Sequence, residues 1–115
     1  MAFKWPFKDP DEQLDYNVDW SRFLSTATIS SVEWSVKTSA YSTETVLASG
    51  QTLTTASSSA ATDSIQNVSQ TNTTTVATIN IGGGVANREY TFFCRITDST
   101  GSQAKRSIKL KVRNR

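Results

Sequence analysis

Residues 88–113, REYTFFCRITDSTGSQAKRSIKLKVR, decide the fold. Tyr90, Phe92, Cys94 and Ile96 fall on every second position, and Ile108, Leu110 and Val112 do the same after a break. In the second run Lys109, Lys111 and Arg113 fill the positions between. A period of two places alternate side chains on opposite faces of an extended chain, so each run reads as a strand with one buried face. The break is Asp98-Ser99-Thr100-Gly101. It predicts a hairpin of 88–97 and 102–113 closed by a tight, glycine-containing loop.

The same period recurs upstream. Leu14, Tyr16, Val18 and Trp20 form one run, Val32, Trp34 and Val36 a second, and Ala77, Ile79 and Ile81 a third. β-Branched and aromatic residues dominate these runs, as pleated, half-buried positions favour. No window sustains the 3.6-residue apolar spacing of an amphipathic helix. Gly82-Gly83-Gly84 ends the third run and reads as a tight turn, because it lacks the spacing and lysine of a phosphate loop. Several short strands so spaced predict an all-β sandwich or barrel. Trp34 belongs to its core. Tyr90, opening a strand after a turn, matches the tyrosine corner of immunoglobulin-like domains, where the hydroxyl bonds back to nearby backbone.

A chain of 115 residues is one domain, long enough for a modest core without metal or disulfide. The net charge of +2 makes no case for nucleic acid, but its distribution is polar. Asp9, Asp11, Glu12, Asp15 and Asp19 face only Lys4 and Lys8 in the first 20 residues, whereas residues 105–115 carry six bases and no acid. Ends of opposite sign can pair within one subunit or between subunits. The basic ladder reads as a lysine-guarded surface strand, as a contact for an acidic surface such as residues 9–19 of a neighbour, or as a nucleic-acid contact; the absence of interleaved aromatics speaks against the last.

Catalytic chemistry is sparse. Histidine is absent, and Cys94 is the one cysteine, so neither a zinc set nor an internal disulfide is available. Cys94 shares its face with Tyr90, Phe92 and Ile96 and reads as a small buried hydrophobe. The acidic run lacks the glycine and closing glutamate of a calcium loop, so it reads as a solvated or partner-facing stripe. No metal, cofactor or enzymatic activity is expected. The start lacks the apolar stretch of a secretory signal, and no window reaches the ~20 apolar residues of a membrane span. Synthesis in a reducing cytoplasm, with no membrane contact, is the expectation.

Half of residues 38–75 are Ser or Thr. They read as a loop or edge-strand region, with a hydroxyl-rich binding face as the alternative. Two glycosylation sequons there, at Asn67 and Asn72, carry no meaning without secretion. The leader is the other unusual stretch. Phe3, Trp5 and Phe7, punctuated by Pro6 and Pro10, are three rings with little local core to enter, each able to bury roughly 150–250 Å². They must pack on their own domain or on a neighbour. The expected organisation is an extended docking arm over 1–12 and a single β-sandwich over 13–115.

Three strings, in order, resemble a known family: KDPDEQLDYNVDWSRFL (8–24), ISSVEWSV (29–36) and YTFFCRITDSTGSQAKRSIKLKV (90–112). The set is similar to the fiber-tail adaptor proteins of tailed bacteriophages and prophages. The resemblance covers both ends of the chain and is weakest across 38–75. It implies an immunoglobulin-like antiparallel β-sandwich with no enzymatic activity. It further implies a structural virion protein at the head–tail neck or tail, bridging tube or connector proteins to fibres in several symmetric copies. A capsid decoration protein and a glycan-binding adhesin module are the alternatives. In the expected mechanism Phe3, Trp5, Pro6 and Phe7 dock in an apolar groove of another virion protein, while Lys8, Asp9, Asp11 and Glu12 meet charged groups of that partner. The competing expectation is that the arm folds back and caps its own sandwich.

Overall fold

A computed structural model describes residues 3–4, 8–38, 44–53 and 64–113. Eight strands and one helical turn follow in chain order: β1 (Phe3–Lys4), β2 (Leu14–Asp19), α1 (Ser21–Leu24), β3 (Ile29–Thr38), β4 (Thr45–Val46), β5 (Gln66–Asn72), β6 (Val76–Gly82), β7 (Arg88–Asp98) and β8 (Gln103–Val112). They form a five-stranded sheet, β1-β8-β7-β3-β4, and a three-stranded sheet, β2-β6-β5. All pairings are antiparallel except that of β1 with β8.

The alternating runs become the core. Tyr16, Val18, Ala77, Ile79 and Ile81 from the smaller sheet meet Trp34, Val36, Phe92, Ile96, Ile108 and Leu110 from the larger in one buried cluster. The molecule is therefore a β-sandwich, with outer faces that look in opposite directions. Trp34 lies across from Cys94 in the β3–β7 ladder, and both are buried. The hairpin forms as read, with Arg88 opposite Val112 and Thr97 opposite Gln103. Its loop closes on Asp98, whose Oδ1 accepts from the Thr100 hydroxyl at 2.6 Å and from the amides of Thr100 and Ser102, each at 2.9 Å. The Thr100 hydroxyl, then these amides, hold the Asp98 carboxyl below its ordinary range. The Tyr90 hydroxyl accepts from the Val85 amide at 2.9 Å, five residues upstream, which is the tyrosine-corner bond.

The Ser/Thr-rich stretch supplies more core than its composition suggests. Leu47, Leu53 and Ile65 are at most 1 % exposed. Between them the chain crosses from one sheet to the other, and Asn67 fastens the crossing. Its Nδ2 donates to the Leu47 carbonyl at 2.9 Å, its amide donates to the Gln51 carbonyl at 3.0 Å, and its carbonyl accepts from Gly50 at 2.7 Å. Asn67 is fully buried, so its sequon presents nothing to a glycosyl donor. β4 and β5 are the outermost strands on this side of the two sheets.

Candidate functional site

The described parts of the arm, Phe3–Lys4 near its start and Lys8 at its root, lie against their own domain. β1 pairs in parallel with β8, Phe3 beside Ile108 and Lys4 beside Lys109. Further along, the Lys8 amide donates to the Lys111 carbonyl at 3.1 Å, and the Arg113 amide donates to the Lys8 carbonyl at 2.8 Å. Lys8, read from sequence as a partner-binding residue, is instead turned fully inward. Its Nζ donates to the carbonyls of Gly83 at 2.6 Å and Asp9 at 2.8 Å. Those two oxygens replace water around the ammonium, which is why a charge survives there. Burial still lowers the Lys8 pKa, against the opposing pull of Glu12, Asp9 and Asp11.

The corner that receives Lys8 is built for close approach. Gly83 has φ +67° and Gly84 φ +105°, a region that side chains rarely adopt. A Cβ on Gly83 would collide with the Ser64 carbonyl, and one on Gly84 would stand 2.9 Å from Val112.

Asp9, Pro10, Asp11 and Glu12 form the turn between the arm and β2. The Asp9 amide donates to Glu12 Oε1 at 2.8 Å, and the Glu12 amide donates back to the Asp9 carbonyl at 3.0 Å. Asp9 Oδ1 accepts from the Asp11 amide at 2.9 Å. This is a capping-box pattern without a helix. Asp11 is exposed; Asp9 and Glu12 are half-buried. The acidic residues expected to face a partner thus also shape their own turn. Trp5, Pro6 and Phe7 lie outside the described residues.

At the opposite end, Trp20 precedes α1, which carries Arg22 and Phe23. Trp20 is buried under the Arg106 guanidinium, whose Cζ lies 4.5 Å from the ring centroid, and Arg106 Nη1 donates to the Asp19 carbonyl at 3.1 Å. Phe23 meets Trp20 edge-to-face at 5.9 Å and stays 42 % exposed. Asp19, Ser21, Arg22 and Arg106 border a recess of about 390 Å³. A second, of about 370 Å³, opens between the sheets along Val32, Val46, Ala48 and Gln70. Burial pushes the Cys94 thiol up to about 11, so it is no nucleophile at neutral pH. Among the described residues no three His, Cys, Asp or Glu side chains converge as a metal site would require.

The two outer faces differ in charge. On the larger sheet Phe93 points outward, with the Nζ of Lys105 at 4.7 Å and of Lys37 at 5.7 Å from its ring centroid. On the smaller sheet Asp15, Asn17 and Asp19 lie outward on β2. There Asp15 accepts from Asn80 at 2.8 Å and Asn17 from the Thr78 hydroxyl at 2.6 Å. This contrast was invisible until the register placed residues from distant segments side by side.

A profile described as podophage GP4 fiber-tail adaptor protein gp77 matches residues 8–46 and 38–111. The chain belongs to that family. The match begins at Lys8, the anchor of the arm, and runs through the last strand of the sandwich. Fiber-tail adaptors are structural proteins of the phage tail, which makes this chain a virion component with a structural role. A search of curated proteins finds no match for the chain. Within the family frame the KDPDE string acquires a physical meaning: its lysine pins the arm to the corner after β6, and its acids close the turn into β2. No helix among the described residues is long and apolar enough to cross a membrane.

Proposed function

We propose that the protein is an adaptor at the head–tail neck or the adjacent tail that bridges tube or connector proteins to fibres in several symmetric copies. The family match over the arm root and the sandwich carries this reading. The anchored arm supports it mechanically. An adaptor must transmit load between partners, and an arm fixed by backbone pairing to β8 and by the Lys8 ammonium to Gly83 couples whatever it grips to the whole domain.

In this reading Phe3, Trp5, Pro6 and Phe7 engage an apolar groove of a neighbouring virion protein, as aromatic anchors do at interface hot spots. Pro6 and Pro10 lower the ordering cost. Asp11, the exposed carboxylate of the turn, meets a basic group beside that groove, while Lys8 acts behind the interface as the tether.

The test is particle incorporation. Phage carrying Trp5→Ala with Phe7→Ala are purified, and the protein is quantified in the particles, while the isolated variant is unfolded in denaturant. Loss from particles with an unchanged unfolding midpoint is expected. A lowered midpoint would show instead that the rings cap their own sandwich. Counting copies per particle separates a small symmetric tail set from the lattice-wide set that a head decoration protein would show.

A further inference from the structure

The sequence left open whether the acidic start and the basic end pair within one subunit or between two. The sandwich geometry decides this for the charges that stand on its strands. Lys105, Lys109 and Lys111 alternate with the inward Ile108, Leu110 and Val112, so they stand on the outer face of the larger sheet. Asp15 and Asp19 alternate with the inward Tyr16 and Val18, so they stand on the outer face of the smaller sheet. A buried core separates the two sets, and each looks away from the other. Arg106 reaches Asp19 within the chain because it occupies an inward register position, opposite Cys94, and passes over Trp20.

We propose that copies of this chain associate head to tail, the Phe93-centred basic face of the larger sheet on one copy seating on the Asp15–Asp19 face of the smaller sheet on the next. The basic face offers Lys37 and Arg95 besides the three lysines of β8, against Glu33, Glu44 and Glu89. Two of these acids are engaged locally, Glu44 with Lys105 at 2.8 Å and Glu89 with Lys109 at 3.8 Å. The excess is cationic. The receiving face is the reverse along its strands: β2, β5 and β6 carry Asp15 and Asp19 and no Lys or Arg, and cations border it at one end, where Arg22 and Arg106 flank Asp19.

Shape follows charge. Val46, Ser35, Phe93 and Ser107 form one row across the larger sheet, with Val46 49 % exposed. An apolar centre with small neighbours and a charged rim is the anatomy of a protein interface. The facing patch on the smaller sheet has half-buried Val76 beside Asp19, half-buried Thr78 beside Asn17, and Asn80 beside Asp15, so its strands are uncharged apart from the two aspartates. Stacking two basic faces or two acidic faces places like charges together, which opposes a two-fold dimer and favours a heterologous repeat that closes into a ring or continues as a stack.

This inference deepens the multi-copy part of the adaptor reading and rests on it for its setting alone. The experiment is sedimentation velocity on the purified full-length chain over a concentration series at low and high salt. It compares wild type with a basic-face variant (Lys37→Glu with Lys109→Glu) and an acidic-face variant (Asp15→Lys with Asn17→Lys), each shown to be folded by circular dichroism. Wild type is expected to self-associate, more strongly at low salt. Each variant is expected to lose association roughly tenfold or more, since the reversed face meets like charge. An equal mixture of the two variants is expected to regain it, because each reversed face then finds an opposite partner. A wild type that stays monomeric, variants that associate as wild type does, or a mixture that stays dissociated would each overturn the proposal. Particle incorporation is read in parallel. A chain that enters particles but never self-associates defeats the stacking inference alone; one that self-associates but never enters particles defeats the adaptor reading.

Discussion

Two cations bind distant parts of this domain together, and they do so in opposite ways. Lys8 is wholly enclosed and gives its ammonium to two backbone carbonyls, tying the arm to the corner between β6 and β7. Arg106 is half-buried, lies over Trp20 and gives an N–H to the Asp19 carbonyl, tying β8 to the end of β2. A compact ammonium suits a small pocket of oxygens. A planar guanidinium suits an aromatic face that is open to water on its other side. The enclosed contact is the stronger one to break, because removing either partner leaves buried groups unsatisfied, whereas water repairs the open one.

The largest effect sharpens the Lys8 side. Gly83→Ala forces a Cβ against the Ser64 carbonyl at a positive φ, and it displaces the carbonyl that Lys8 needs. A loss of about 3 kcal/mol or more in denaturant unfolding is expected. Next comes Lys8→Ala, which orphans the Gly83 and Asp9 carbonyls and should cost roughly 2–3 kcal/mol. Hydrogen exchange at the amides of Lys8 and Arg113 should accelerate with it. Lys8→Arg should not rescue the loss, because the fork is larger than the site.

Lys8 also predicts a pH response. Its pKa in the folded protein lies below 10.5. Between those two values the unfolded chain binds more protons than the folded one, so stability rises as pH climbs through that window. The rise should vanish in Lys8→Met.

Arg106→Ala should cost about 1 kcal/mol, the scale of an open cation–π contact, and Arg106→Lys should recover less than half of it. An Arg106→Ala variant costlier than Lys8→Ala would make the open contact, not the enclosed one, the stronger tie. The smallest effect belongs to a carboxylate. Asp98→Ala should leave the fold intact and speed exchange at the Thr100 and Ser102 amides. Because the Asp98 carboxyl titrates below its ordinary value, the stability it adds is present at neutral pH and disappears as pH falls through that lowered value. Acid titration of the Asp98→Ala variant should therefore be flatter than that of wild type.

How much of this could be read from the sequence depended on whether the signal was local. Alternation over β7 and β8 marked both strands, their inward residues and the loop, because a two-residue period needs no knowledge of the partner strand. Tyr90 was legible as a corner since its bond partner, Val85, is five residues away. Lys8 was not. A lysine among aspartates reads as solvated, and only the 75-residue contact with Gly83 buries it. β1 was hidden because two residues in parallel register leave no periodic trace. Leu47, Leu53 and Ile65 were masked by the serines and threonines around them, though each is core. The charged faces were legible residue by residue but not as faces, since Lys37, Arg95 and Lys105 are brought together by pairing alone.

Cys94 gives the domain a chemically quiet interior. Its thiol, buried beside its cross-strand neighbour Trp34 and pushed up to about 11, stays protonated at neutral pH. Outside a cell, where a virion protein must persist, no enzyme restores an oxidised thiol. With its one thiol so enclosed, the folded protein offers a neighbour no disulfide route to a cross-link.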